Sequence, residues 1–116
     1  MIYQMKLHDK PFQLIKNRKK IIEMRLNDEK RSKLKIGDNI EFENRDSMEH
    51  ITTLIEDIQV YSDFNTLYKN YSKEELGYLP DEVARPEDMN KYYTKEEQDK
   101  YGGMAIQIKL DNYNLN

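Results

Sequence analysis

The sequence has 116 residues, of which 37% are hydrophobic and 35% charged, and its formal net charge is −3. A disordered chain combines low hydrophobicity with a large net charge, so this small charge and the nine tyrosines predict one folded domain over residues 1–116. The lack of cysteine excludes disulfides, thiolate metal sites and cysteine nucleophiles. No apolar run is long enough for a signal peptide or a membrane-spanning helix, so we expect a cytoplasmic protein.

The charges are unevenly distributed along the chain. Residues 16–35 carry nine basic and three acidic side chains, whereas the remainder carries ten basic and 19 acidic ones. A basic segment on an acidic body can form a local anion-binding face. The alternative is a solvated, charge-rich turn region, and composition alone favours that alternative because charge runs are usually solvated.

The first half of the chain is predicted to alternate strands and short helices. In chain order we predict a strand at 1–7, a helix at 9–17, a strand at 20–26, a turn with a short helix at 27–34, and a strand at 39–43. Asp9 is a good N-cap, and Pro11 is tolerated in the first helical turn, where its missing N–H is not needed. Asn17 tolerates a left-handed backbone and is expected to end the helix.

The second half is predicted to close a sheet around short helices. We predict a connection at 44–49, a long strand at 51–61, helices at 63–71, 72–77 and 94–102, a helical turn within 86–93, a closing strand at 104–110 and a frayed tail at 111–116. Ser72 and Thr94 each begin a capping-box pattern. The elements do not alternate as βαβ units would, so we predict an α+β fold with a small mixed β-barrel of five to six strands and peripheral helices.

The strand at 20–26 has two chemically different faces. The apolar face consists of Ile22, Met24 and Leu26. Glu23 and Arg25 are two residues apart and lie together on the other face, with Lys20 at its entrance. A carboxylate beside two cations stays ionised and accepts from an exocyclic amine, while arginine binds planar acceptors bidentately. The alternative is an internal ion pair without a ligand, and we expect Glu23→Gln to change ligand preference with little loss of stability.

Residues 12–42 resemble the ASCH family, a branch of the PUA-like β-barrels. The resemblance is carried by the K-x-I-E-x-R strand that starts at Lys20 and by the K-x-G-D-x-I-x-F segment that starts at Lys35. It implies a PUA-like barrel that binds RNA or a modified nucleoside in a basic cleft beside the barrel. The ligand-binding residues would then be Arg18, Lys19, Lys20, Glu23 and Arg25.

Some ASCH members are similar to ribonucleases, and one branch removes acetyl from N4-acetylcytidine. The resemblance therefore implies an alternative, a metal-independent hydrolase whose catalytic residues are Lys20, Glu23 and Glu75, with Glu74 as the alternate. Glu23 stands where that branch has a threonine nucleophile, so it would act as a base or carboxylate nucleophile instead. Arg18 stands where the family usually has a glycine, and Asn17 would supply the turn geometry.

The remaining side chains that could bind a base or a metal are assigned structural roles. Aromatic residues at helical spacing are usually core, so we assign Tyr61, Phe64, Tyr68 and Tyr71 to the core before a stacking surface. We expect the tyrosines at 92, 93 and 101 to cap an open barrel end. His8 and His50 have no third patterned ligand, so we predict no zinc site and no cofactor.

A third alternative is a protein-interaction module that uses the acidic segment 74–99. The net charge of −3 argues against non-specific duplex binding, which usually requires a strongly basic domain. We therefore expect a small ligand or a short single strand as partner, and the sequence leaves the oligomeric state open.

Overall fold

The computed structural model describes residues 1–111 and contains a five-stranded sheet with short peripheral helices. The strands are β1 (Ile2–Leu7), β2 (Ile22–Leu26), β3 (Asn39–Asn44), β4 (His50–Tyr61) and β5 (Gly103–Leu110). The α-helices are α1 (Asp9–Lys16), α2 (Phe64–Lys69) and α3 (Lys95–Tyr101), and 3-10 helices span Arg31–Lys33 and Pro86–Lys91. The predicted α+β fold with a barrel-like sheet is confirmed, with five strands.

The strand order is β1-β3-β4-β5-β2, so the first two strands of the chain form the two edges of the sheet. β1 pairs with β3 in parallel, and the other three pairings are antiparallel. A register shift between Ile55 and Asp57 bends the 12-residue strand β4, and such irregularities increase strand twist. The sheet therefore curls into a half-barrel with an open seam between β1 and β2.

The strand β5 is buried on both faces of the sheet. Met104, Ile106 and Ile108 belong to the hydrophobic cluster inside the curl, together with Phe12 and Ile15 of α1. Ala105 faces the opposite side, where it joins the second cluster, formed with α2. Helix packing on both faces explains why this strand is nearly all apolar.

Two local predictions about helices differ from the structure. Helix α1 is N-capped by His8, and Asp9 lies in its first turn. The predicted helix at 72–77 is a hydrogen-bonded turn, in which the Ser72 N–H donates to Glu75 Oε1 at 2.8 Å. The capping bonds therefore form, but Gly77 has a φ of +103° and leaves the helical path.

The predicted frayed tail is ordered at its first residue. The Asp111 N–H donates to Thr52 O at 3.0 Å, and Asp111 Oδ2 accepts from Asn39 Nδ2 at 3.2 Å. Residues 112–116 of that predicted tail lie outside the described residues.

Candidate functional site

A cavity of about 500 Å³ lies beside the open seam between β1 and β2. Its size is that of pockets that hold small organic ligands. Its ionisable lining residues are Lys6, His8, Lys10, Lys20, Glu23, Arg25, Arg45, Glu82, Asp88 and Lys91. Its tyrosines are Tyr68, Tyr78, Tyr92 and Tyr93. The cavity therefore combines an excess of basic over acidic side chains with aromatic rings.

Lys20, Glu23 and Arg25 meet at this cavity as a buried ion triad. Glu23 Oε1 lies 2.9 Å from Lys20 Nζ, and Glu23 Oε2 accepts from Arg25 Nε at 2.7 Å. Only 3% of Glu23 and 9% of Lys20 is exposed. The predicted neighbours are thus in contact, but as a buried triad rather than an exposed pair.

The triad keeps Glu23 ionised despite its burial. Burial alone would raise the pKa of the Glu23 carboxyl. The charges of Lys20 and Arg25, and the hydrogen bonds that they donate, outweigh burial and hold that pKa below its ordinary value. Each carboxylate oxygen of Glu23 already accepts from one cationic group, whereas Lys20 and Arg25 keep further N–H donors.

Backbone contacts fix where the triad stands. The Glu75 carbonyl oxygen accepts from the N–H groups of Ile21 and Ile22 at 3.1 and 3.0 Å, which anchors the start of β2 to the turn at 72–77. Arg25 Nη2 donates to Lys6 O at 3.3 Å and so joins the two edge strands across the seam. The same guanidinium therefore binds Glu23 and spans the open side of the half-barrel.

Four residues that the sequence suggested for the site do not line the cavity. Arg18 and Lys19 are exposed and lie outside the lining. Glu74 is also exposed and outside it, and the Glu75 carboxylate accepts from the Ser72 N–H instead. The structure therefore brings Lys20, Glu23 and Arg25 together, without a second glutamate from the 72–77 turn.

Arg18 occupies the left-handed position that ends helix α1. Its φ is +61°, whereas Asn17, the residue predicted to take this role, has a φ of −91°. The Lys19 N–H donates to Leu14 O and the Arg18 N–H to Ile15 O, the paired bonds of a Schellman motif. Glycine is favoured at this position because it has no Cβ penalty, so Arg18 adopts a backbone conformation that is strained for a residue with a side chain.

We expect Arg18→Gly to leave stability unchanged or raise it by up to about 1 kcal/mol. Glycine removes the left-handed strain of a residue with a Cβ, and its extra freedom in the unfolded chain offsets part of the gain. Chemical denaturation measures this change. A large loss of stability would show that Arg18 makes an essential contact, and a parallel loss of ligand affinity would assign it to the site.

Arg45 is one of four basic lining residues, with Lys6, Lys10 and Lys91, that sequence analysis did not assign to the site. The preceding residue, Asn44, is buried and accepts from the N–H groups of Asp46 and Ser47, which organises the turn after β3. The Arg45 N–H donates to Leu7 O at 2.8 Å, so the turn is held against the end of β1. Within residues 1–111, the Arg45 side chain has no carboxylate partner. No sequence pattern marks Arg45 as a site residue, because it reaches the cavity only through the pairing of β1 with β3 in the folded protein.

The tyrosines at 92 and 93 also line the cavity, although they were predicted to cap a barrel end. The Tyr93 ring stacks on Phe64, with ring centroids 6.2 Å apart, and lies 5.7 Å from the Arg31 guanidinium. Tyr92 is 63% exposed and has no such ring contact in the described part of the chain. Among the four tyrosines that line the cavity, Tyr92 is therefore the one most accessible to a ligand.

Two structural features bear on other classes of function. Among residues 1–111, no three His, Asp or Glu side chains are arranged to hold a metal ion. Every helix in that range is too short or too polar to cross a membrane.

Comparison with known proteins identifies similar chains. The sequence profile of the ASCH domain matches residues 5–110. The crystal structure of the hypothetical protein PH0355 is 34% identical, with a TM-score of 0.81, and the match covers 96% of this chain and 100% of the other. The solution structure of protein PF0455 from Pyrococcus furiosus is 35% identical, with a TM-score of 0.72 and coverages of 95% and 97%.

A more distant structure shares the fold. A mutant of ZmASCH from Zymomonas mobilis is 16% identical, with a TM-score of 0.61, and the match covers 93% of this chain and 67% of the other. No curated protein matches the sequence.

Proposed function

The chain belongs to the ASCH domain family, a PUA-like family generally associated with RNA, and we propose that it binds RNA or a modified nucleoside in the cavity at the seam. One observation carries this proposal. Cations without carboxylate partners and an exposed aromatic ring line the same cavity as the buried Lys20–Glu23–Arg25 triad.

The unpaired cations suit the phosphate or sugar of a nucleic acid. Neither Arg45 nor Lys91 has a carboxylate partner within residues 1–111. Arginine binds phosphate bidentately, while lysine supplies a mobile point charge. If these groups neutralise phosphates, the affinity for RNA falls steeply with salt, whereas the affinity for a nucleoside without phosphate does not.

The remaining lining suits a base. Tyr92 offers an exposed ring on which a base can stack, and stacking is tolerant of sequence. Lys20 and Arg25 keep N–H donors beyond those that bind Glu23, and such donors match carbonyl and ring-nitrogen acceptors. A cavity of about 500 Å³ admits one nucleoside unit but not a duplex.

Binding is better supported than hydrolysis by the state of the carboxylates. A general base works best when its pKa lies near the working pH. The pKa of Glu23 is lowered, and both its oxygens are occupied by Lys20 and Arg25. Neither Glu74 nor Glu75 lines the cavity, so the glutamate that the hydrolase alternative takes from the 72–77 turn is missing from the lining.

An amide chemical-shift titration tests the proposal. The labelled protein is titrated with cytidine, N4-acetylcytidine and short single-stranded RNAs. We expect shifts at Glu23, Arg45, Gly77 and Tyr92. If no amide near the cavity shifts at millimolar ligand, the proposal fails and the acidic segment 74–99 becomes the surface to test with protein partners. Turnover of N4-acetylcytidine that survives a chelator would favour the hydrolase.

We expect Tyr92→Ala to weaken ligand binding by about 1 to 3 kcal/mol, the usual contribution of stacking one base. The exposure of Tyr92 implies little change in stability. The matched control is Tyr92→Phe, which keeps the ring and should keep most of the affinity. Isothermal calorimetry measures both variants, and equal affinity of Tyr92→Ala and wild type would remove Tyr92 from the site.

A further inference from the structure

Two tyrosine hydroxyl groups and a carboxylate are joined by hydrogen bonds in the wall of the same cavity. Tyr68, Tyr78 and Asp88 all line it. The Tyr78 hydroxyl is 2.7 Å from Asp88 Oδ2 and 2.8 Å from the Tyr68 hydroxyl, and it has a longer contact of 3.4 Å with Arg85 O. The two rings meet edge to face, with centroids 6.1 Å apart. These three side chains take no part in the stacking and charge contacts described above.

The carboxylate at one end fixes the direction of every hydrogen bond in this series. An ionised carboxylate only accepts, so Tyr78 donates its single hydroxyl hydrogen to Asp88. The Tyr78 oxygen must then accept from Tyr68 for their 2.8 Å contact to be a hydrogen bond. The hydroxyl hydrogen of Tyr68 is therefore donated within the cavity wall and cannot be donated to a ligand. Consecutive hydrogen bonds of this kind strengthen one another.

Both hydroxyl groups keep their hydrogens at neutral pH. Burial is the largest cause that raises the pKa of Tyr68 and of Tyr78 above the ordinary value. The two hydrogen bonds therefore run from Tyr68 to Tyr78 and from Tyr78 to Asp88, with each tyrosine neutral. This series of hydrogen bonds is called the relay below. The Tyr68 oxygen retains a lone pair, and within residues 1–111 no donor occupies it.

We propose that Tyr68 is a specificity-determining residue that presents to the cavity an oxygen able to accept a hydrogen bond but unable to donate one. The inference rests on the proposed binding function and narrows its ligand class to groups with an N–H donor at this point. The exocyclic amine of cytosine is such a donor, whereas uracil has a carbonyl acceptor in the same place. Two acceptor oxygens facing each other have no hydrogen to share.

The relay predicts opposite effects for two tyrosine substitutions. Tyr68→Phe removes the acceptor, so cytidine should bind roughly threefold to tenfold more weakly while the 4-deamino analogue of cytidine is unaffected. Tyr78→Phe leaves the Tyr68 oxygen in place but releases its hydrogen, so Tyr68 can also donate. Uridine should then gain affinity relative to cytidine, a reversal that mere loosening of the wall would not produce.

The test is a set of dissociation constants for cytidine, uridine and 4-deaminocytidine, measured by calorimetry on the wild type and on each variant. Tyr71→Phe is the matched control, because Tyr61 donates to Tyr71 at 3.1 Å in a similar pair that does not line the cavity. It should leave the cytidine-to-uridine ratio unchanged. Thermal unfolding checks that each variant is folded.

The outcomes separate this inference from the function on which it rests. A wild-type preference for cytidine that falls in Tyr78→Phe, and not in Tyr71→Phe, supports the relay. Cytidine binding with the same ratio in wild type and Tyr78→Phe overturns the relay and leaves the binding function standing. If wild type binds none of the three nucleosides or short RNAs, the binding function fails, and the relay fails with it.

Discussion

Replacing Glu23 by Gln is expected to destabilise the protein by about 3 to 5 kcal/mol, the usual cost of removing one partner from a buried ion pair. Lys20 and Arg25 each contact one oxygen of Glu23, and the substitution leaves two cations beside one neutral amide. The total stability of a domain is about 5 to 15 kcal/mol, so this loss is large. The sequence predicted a mild effect because it did not reveal that only 3% of Glu23 is exposed.

Chemical denaturation of the wild type and Glu23→Gln measures the loss. Asp99→Asn is the matched control, because it breaks the i,i+4 pair of Lys95 and Asp99 on an exposed helix surface. Such pairs contribute about 0.5 kcal/mol or less. A loss in Glu23→Gln no larger than that of the control would mean that the triad is solvated in solution and contributes to ligand binding alone.

The lowered pKa of Glu23 adds a pH dependence to the same experiment. A carboxyl whose pKa is lower in the folded state stabilises the protein above its unfolded-state pKa, and this contribution is lost as the pH falls through the folded pKa. The ordinary value is 4.5. We therefore expect the difference in stability between wild type and Glu23→Gln to be constant near neutral pH and to shrink below about pH 4.5. A difference that grows on acidification would contradict this assignment.

The site residues closest in sequence were the ones that sequence analysis placed together. The two-residue period of a strand puts Glu23 and Arg25 on one face, and this holds in any sheet. Their burial depends instead on the turn at 72–77, whose Glu75 carbonyl oxygen binds the start of β2. That contact spans more than 50 residues of sequence, and no local pattern encodes it.

The rest of the cavity was beyond sequence reasoning for the same physical reason. Arg45 reaches the cavity only because β3 pairs in parallel with β1, which brings the turn after β3 to the end of β1. Tyr78 lies in a loop and Asp88 in a single short 3-10 helix, and neither stretch is long enough for a hydrophobic period to assign a direction to these side chains. The strands themselves were predictable, because their apolar alternation is a local property.

Gly77→Ala should disrupt the site from the opposite side of the triad. Gly77 has a φ of +103°, and a Cβ built there would lie 2.7 Å from Lys20 Cδ and 3.3 Å from Lys20 Cγ. The left-handed backbone alone costs about 1 to 3 kcal/mol for a residue with a Cβ. The added methyl group also pushes against a lysine stem that cannot swing away while its Nζ is held by Glu23. We expect a loss of stability and weaker ligand binding together.

Gly37→Ala is the control that separates the two causes. Gly37 has a similar φ of +96°, but a Cβ built there meets no atom within 4 Å, so only the backbone cost applies. Denaturation of both variants should show a larger loss of stability for Gly77→Ala than for Gly37→Ala. In a Lys20→Ala background, Gly77→Ala should lose that excess, so the double variant is compared with Lys20→Ala alone. Equal losses in the two glycine variants would mean that the Lys20 stem relaxes freely. A persistent excess without Lys20 would place the clash elsewhere. The expected pattern makes Gly77 the residue whose missing side chain lets Lys20 reach Glu23.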